Sequence, residues 1–511
     1  MNKRTTKLIF IRIAGVLIAI LILAGALSSC TSLLERKDSQ EKYEKFFEHA
    51  SDMDVLFFGT SHVLNSIFPM ELWHDYGITS YNLGGHANQI PTSYWVMMNS
   101  LDYASPKVVV IDCYSLASNL KVFDDFEYVH LSFDAFPLTV TKLKVVADLL
   151  FNPGNDNSAG VTGESGTKEK HTRIGLLWDY SVYHSRWSDI TQRDFEPEIS
   201  KEYGAEARIQ IAEPSHMADN PGTTLKEMTV GRAYLELMIE ECKSRGIEVL
   251  LTYIPYPVTG ESTWIDINTV YEIAGQHDVK YLDYLALDVV DYETDCYDPA
   301  SHLNPSGAFK VTDYMGRYLT ENYDLSDHRG DAGYEYWDTD YDLYTGMKDE
   351  RLAQCNDLNT YLMLLQDKRY GLMMEIEDRE ILEDETTLRL LKNKGADISR
   401  INDGTEYIYI SDSECRISAN PDGPSSDTGS DGNMDIREED SDENGIIVNV
   451  FENSDEDHII DTSVFAIHRT DYDAEGQTLR TSKATRNQGK NEKDNEGNLN
   501  DQENRSEQKL Q

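Results

Sequence analysis

Ser61, Asp298 and His302 have the residue types and settings for one reaction. Ser61 ends the run V-L-F-F-G-T-S, in which four apolar residues from Val55 lead into Gly59 and Thr60. Asp298 and His302 stand in Y-D-P-A-S-H-L-N, residues 297–304, just before a helix-like stretch. A hydroxyl is a poor nucleophile at neutral pH and needs an adjacent base. In this set Ser61 would attack, and His302 would take its proton and return it to the leaving group. Asp298 would hold the imidazole tautomer and stabilise the imidazolium. A third stretch, Y-N-L-G-G-H at 81–86, places glycines where backbone can approach a developing oxyanion. The N–H of Gly84 or Gly85, with that of Ser61, would then form the oxyanion hole. Plainer readings exist for each: a serine after G-T is a common helix N-cap, and Gly-Gly is a common tight turn.

The elements that must position these residues alternate between strand and helix from residue 54 to 325. A short apolar run closed by glycine is a buried strand of a parallel sheet. Strands are expected at Val55–Gly59, Ser80–Leu83, Val108–Asp112, Glu248–Ile254 and Val279–Leu282. Helices are expected at Ile67–Tyr76, Pro91–Tyr103, Leu225–Arg245, Ile265–Gln276 and Ser306–Asn322. Alternation of this kind implies an α/β fold with a parallel sheet covered on both faces, whose chemistry sits at the carboxyl ends of the strands. Residues 123–224 break the rhythm and are expected as an insertion that caps that edge. In it, His184, Arg186 and Trp187 are candidate substrate contacts: Arg186 for an anionic group, His184 or Trp187 for stacking on a sugar. The alternative is that Trp187 anchors the cap and Arg186 pairs with an acid.

Around the 51–325 domain the composition changes. Residues 326–344, acidic and tyrosine-rich, are expected as a linker. A helix at Asp349–Gln366 and strands at Leu372–Ile376, Tyr407–Ile410, Ile446–Phe451 and Thr462–Ile467 predict a small α+β domain over 345–475. The acidic stretch 420–444 and the tail 476–511 are expected to be disordered. The net charge of −45 argues against a nucleic-acid partner. The six cysteines contain no CxxC pair; they are expected as free thiols, with a Cys113–Cys296 bond as the alternative. No metal or cofactor is expected, since the acidic run 431–443 lacks a calcium-loop pattern. At the other end, Lys3, Arg4, Lys7 and Arg12 precede an uncharged run from Ile13 to Leu27. Residues 1–30 are expected to be a membrane anchor that holds the rest of the chain outside. Leu27-Ser28-Ser29-Cys30 also fits a lipoprotein signal, with Cys30 as the lipidated residue. Residues 31–50 would be a juxtamembrane linker or short helix.

G-T-S-H after the first strand, N-L-G after the second and D-P-A-S-H-L-N before the last helix together resemble the blocks of the SGNH/GDSL hydrolase superfamily. The anchor and the ending L-N-P-S-G-A-F-K resemble its membrane-anchored, DltD-like and alginate O-acetyltransferase-like branch. The resemblance spans roughly residues 50–325. It implies a flavodoxin-like three-layer α/β/α sandwich, with Ser61 as nucleophile, Gly84 as oxyanion glycine and Asp298 and His302 as the acid–base pair. It also implies ester hydrolysis or acyl transfer, acetyl first among acyl groups, on a surface polysaccharide or teichoic-acid-like polymer. A polytopic membrane protein would supply the acyl group. Two departures stand out. The family's Asp-x-x-His is here Asp-x-x-x-His, with Pro299 in the loop and Asp295 as a competing orienter. The oxyanion asparagine after the third strand has no clear counterpart, Asn119 and Tyr114 being the nearest candidates. These departures support a second expectation, a catalytically silent scaffold or glycan-binding protein of the cell envelope.

Overall fold

The structure is a computed structural model, and it describes residues 3–35, 37–122, 127–151, 176, 183, 185–377, 379–402, 404–418, 445–474 and 477–486. Val55–Phe58 (β1), Ser80–Asn82 (β2), Val108–Asp112 (β3), Glu248–Tyr253 (β4) and Lys280–Asp283 (β5) pair in parallel, in the order β2-β1-β3-β4-β5. Alternate residues of each strand enter different cores. Leu56, Phe58, Val109, Ile111, Val249 and Leu251 point to one face. There they meet helices Lys37–His49, Ile90–Ser100, Val230–Ser244 and Glu261–His277 through side chains such as Phe46, Met97, Ile239 and Val270. Val55, Phe57, Val108, Val110 and Leu250 point to the other, against Leu72 of Pro69–Tyr76 and Val311, Met315 and Leu319 of Pro305–Asn322. Burial on both faces is why these strands read as unbroken apolar runs. Gly246 comes just after the end of its helix in the left-handed region, φ 74°, as a residue past a helix end does.

Residues 37–49, expected as a linker or short helix, are a helix whose Tyr43 and Phe46 are core residues. Ahead of it lies one helix, Lys3–Leu34. Among the described residues no helix is long and apolar enough to cross a membrane; the side chains of residues 1–11 lie outside those described. Val16, Leu17, Ile18, Ile22 and Leu23 on this helix are all more than half exposed.

A second, antiparallel sheet is built from Tyr370–Ile376 (β6), Tyr407–Ile410 (β7), Cys415–Ser418 (β8), Gly445–Glu452 (β9), Asp455–Ala474 (β10) and Gln477–Arg486 (β11), ordered β11-β10-β9-β6-β7-β8. Helices Leu358–Leu364 and Glu385–Asn393 cover it, with Leu362, Leu390, Leu372, Met374 and Val448 in its core. Three expectations are corrected here. Residues 326–344 are not merely a linker: Glu335–Gln354 is a helix, and its Trp337 and Tyr344 are buried in the core of the first unit, Trp337 stacked 5.2 Å from Trp73. The helix expected over Asp349–Gln366 is divided, because the chain turns extended at Cys355 and Asp357. Finally, 477–486 is no disordered tail but a strand paired with β10; residues 420–444 and 487–511 lie outside the described residues.

The two units share one buried ion cluster. Lys348, on the helix that joins them, donates to Glu71 of the first unit at 2.6 Å and to Asp367 of the second. All three are under 11% exposed. Burial opposes the charge on Lys348, but Asp367 and Glu71 outweigh it and hold its pKa up. Removing the cation would leave two carboxylates facing each other without water. Lys348→Ala should cost about 3–5 kcal/mol in denaturant unfolding. Lys348→Met combined with Glu71→Gln and Asp367→Asn should restore most of that loss, because nothing charged is then left buried.

Candidate active site

The carboxyl edge of the parallel sheet gathers the candidate residues. Strand β1 turns through Gly59 into helix Ser61–Ser66. A Cβ on Gly59 would lie 2.7 Å from Cβ of Asp112 and 2.6 Å from Val63, so only glycine allows the turn to pass this close to β3. Thr60 caps the helix, its hydroxyl accepting from the His62 N–H at 3.2 Å. Ser61 is therefore not the cap. It occupies the first helical position, and its Oγ lies 2.8 Å from Nε2 of His302.

His302 comes from the loop between helices Tyr292–Asp295 and Pro305–Asn322. Its Nδ1 is hydrogen-bonded to Oδ2 of Asp298. The other oxygen of Asp298 accepts the N–H groups of Ala300 at 3.1 Å, Ser301 at 2.7 Å and His302 at 3.4 Å. The carboxylate thus winds the loop around itself. That is how the Asp-x-x-x-His spacing brings the two side chains together: the turn through Pro299 carries His302 back over Asp298. Burial pushes the Asp298 carboxyl up, but the His302 hydrogen bond and charge and the N–H donors outweigh it and hold its pKa below the usual carboxylate range. The rival orienter, Asp295, is fully buried and committed to Lys310 at 2.7 Å and to Ser306 at 2.6 Å.

The oxyanion glycines are corrected. The Gly84 N–H donates to Asn82 Oδ1 at 3.0 Å and the Gly85 N–H to Gly59 O at 3.1 Å. A Cβ on Gly84 would stand 2.9 Å from Thr60 O and 2.8 Å from Leu64 N, so this glycine serves close packing of the second loop on the first. Asn119 is spent as well, accepting from the Val230 N–H at 3.2 Å. A residue that sequence reasoning passed over stands near them. Asn88 is 2% exposed and its Oδ1 accepts from Ser132, but its Nδ2 is buried without a partner among the described residues. It lines the same cavity, about 630 Å³, as Ser61, His302 and Asp298. Its signal in the sequence is an asparagine four residues after the N-L-G glycine, on the same strand-end loop.

The cap residues divide. The run 203–218 lies along the sheet edge: Tyr203 O accepts from Asn82, Glu206 N donates to Leu64 O, and Ala212 N and Ser215 N donate to Cys296 O and Pro299 O at 2.9 and 2.7 Å. Arg208 from this run lines the cavity. Arg186 does not: it donates to Leu34 O at 2.6 Å and to Asp194 at 2.9 Å, and Trp187 is 53% exposed and also outside the cavity lining. His184 lies outside the described residues. Cys113 and Cys296 are both free thiols.

His62 packs between these groups. Its ring stacks on Tyr256 at 4.7 Å, lies 5.4 Å from the His302 ring, and bonds Thr60 Oγ1 at 3.1 Å. Burial first, then the neighbouring His302, lowers its pKa to about 3. A histidine that stays neutral when folded but protonates when unfolded makes the unfolded state the better proton acceptor, so stability falls as pH drops below about 6.5. Denaturant unfolding at pH 7 and pH 5 should show this loss in the parent chain. His62→Gln should reduce the slope by up to about 1.4 kcal/mol per pH unit.

Compared with protein-family models, with curated proteins and with solved structures, the chain finds no match.

Proposed function

We propose that this chain is a serine-dependent enzyme of the SGNH type that removes or transfers an acyl group, acetyl foremost, on a cell-surface polymer. The observation that carries the reading is the chain of contacts from Ser61 Oγ through His302 to Asp298. An ester or thioester donor enters the cavity, and Ser61 attacks its carbonyl carbon as His302 Nε2 takes the hydroxyl proton. The Ser61 N–H, which at the first helical position has no intrahelical acceptor, and Asn88 Nδ2 receive the oxyanion. Collapse expels the leaving group with the proton from His302. Water or a sugar hydroxyl then releases the acyl group by the same steps in reverse. The strand order agrees with the flavodoxin-like sandwich.

The exposed apolar residues Val16, Leu17, Ile18, Ile22 and Leu23 support a tethered location, as an anchor or, alternatively, as a lipoprotein attached at Cys30, with a surface polysaccharide or teichoic-acid-like polymer as substrate. A polytopic membrane partner would bring the acyl group. One observation favours the silent scaffold instead: both glycines expected to serve the oxyanion already donate within the protein.

The full chain in detergent, treated with a serine-reactive fluorophosphonate and mapped by peptide mass, separates the two. An adduct on Ser61 that disappears in Ser61→Ala and His302→Ala is the expected result. No adduct from folded protein would support the scaffold. Asn88→Ala should lower turnover of p-nitrophenyl acetate by about 10²–10³ while KM changes little.

A further inference from the structure

The cavity around Ser61 holds two more buried polar atoms without partners among the described residues: Oδ1 of Asp266 and Oγ of Ser115. They belong together. Asp266, on helix Glu261–His277 and 7% exposed, uses its other oxygen to accept the Ala117 N–H at 3.2 Å, which ties it to the loop that carries Ser115. No ion pair to Asp266 is found among the described residues, and burial pushes its pKa up to about 6 against the pull of that N–H. Ser115 is held in the left-handed region, φ 65°, where a non-glycine residue is uncommon and needs support from its surroundings. Next to it, Tyr114 lines the same cavity, its ring packed edge-on to Tyr256 at 5.9 Å. A carboxylate oxygen and a hydroxyl buried without partners, on two residues that line one cavity, are costly unless a ligand completes them.

We propose that Asp266 and Ser115 form an acceptor subsite for a polyhydroxylated, uncharged acceptor, such as a sugar ring, bound beside the acyl-Ser61 ester. This rests on the acyl-enzyme reading above. A sugar suits these atoms because each hydroxyl can donate to Asp266 and accept from or donate to Ser115, while ring C–H groups lie on Tyr114. The transfer balances without another reactant than the acyl donor. The acceptor oxygen attacks the acyl carbon, its proton passes to His302, the bond from that carbon to Ser61 Oγ breaks, and the proton returns to Oγ. The subsite therefore favours transfer over hydrolysis, since a polyol can hold these contacts with one hydroxyl and present another to the acyl carbon, which a single water bound there cannot do.

The test uses the full chain in detergent with p-nitrophenyl acetate as acyl donor. The acceptors are methyl β-D-glucopyranoside, glycerol, methanol and ethanolamine, and acetylated acceptor and free acetate are both quantified. Saturable transfer to the glycoside or to glycerol, with methanol giving only a linear response, is expected. In Asp266→Asn and in Ser115→Gly, the latter matched to the left-handed backbone, the transfer-to-hydrolysis ratio to the polyol should fall by roughly tenfold or more. The ratio is measured within each reaction, so a poorly folded variant lowers both products and leaves it in place. A ratio unchanged in both variants, a linear response to both polyols, or preference for ethanolamine would overturn the subsite. Absence of any burst of p-nitrophenol and of any Ser61 adduct would instead overturn the acyl-enzyme reading, and the subsite with it.

Discussion

A parallel sheet buried on both faces leaves one open place for chemistry, the edge where its strands end. Ser61 and His302 are 241 residues apart and meet only because β1 and the helix after β5 end at that edge. The alternation of Leu56 and Phe58 with Val55 and Phe57 between two cores fixes the height at which β1 stops, and with it the position of Gly59. Without a side chain at 59 the turn passes against Asp112, and Ser61 emerges at the first helical position rather than below the edge. The position of the Ser61 hydroxyl depends on this packing more than on any hydrogen bond around it.

The parallel sheet was legible in the sequence because a strand buried on both sides leaves an apolar run that few other elements produce. Its helices were legible as the stretches that alternate with those strands, one of them closed by Gly246. The juxtaposed residues Ser61, Asp298 and His302 could be named because each stands at a strand or helix end with its own turn chemistry. Which backbone N–H stays free could not be read: Gly84 looks available until Asn82 folds back on it, and that depends on where the Asn82 side chain goes. Asn88 was missed for the related reason that an asparagine in a polar loop looks like any turn residue until burial leaves its amide alone.

The second unit was misjudged at its borders. Acidic, tyrosine-rich composition in 326–344 reads as solvated linker, yet Trp337 and Tyr344 lie seven residues apart on one helix face and reach the first core. The antiparallel unit also touches the segment that leads to His302. Arg389 pairs with Asp291 at 3.3 Å, and Asn393 donates to Thr294 at 2.9 Å, both acceptors on or next to helix Tyr292–Asp295. With Lys348 on one side and these contacts on the other, the two units bracket the segment that delivers His302.

The way Asp298 gathers the N–H groups of residues 300–302 has a mechanical consequence. Acid and base are carried by one self-wound turn, so displacement of the loop moves both together. The imidazole keeps its tautomer and its carboxylate throughout, and the remaining variable is the gap from Nε2 to the serine oxygen. A site assembled in this way has a single coordinate to adjust, and whatever bears on that turn would act on the proposed reaction as a distance rather than as a change of chemistry.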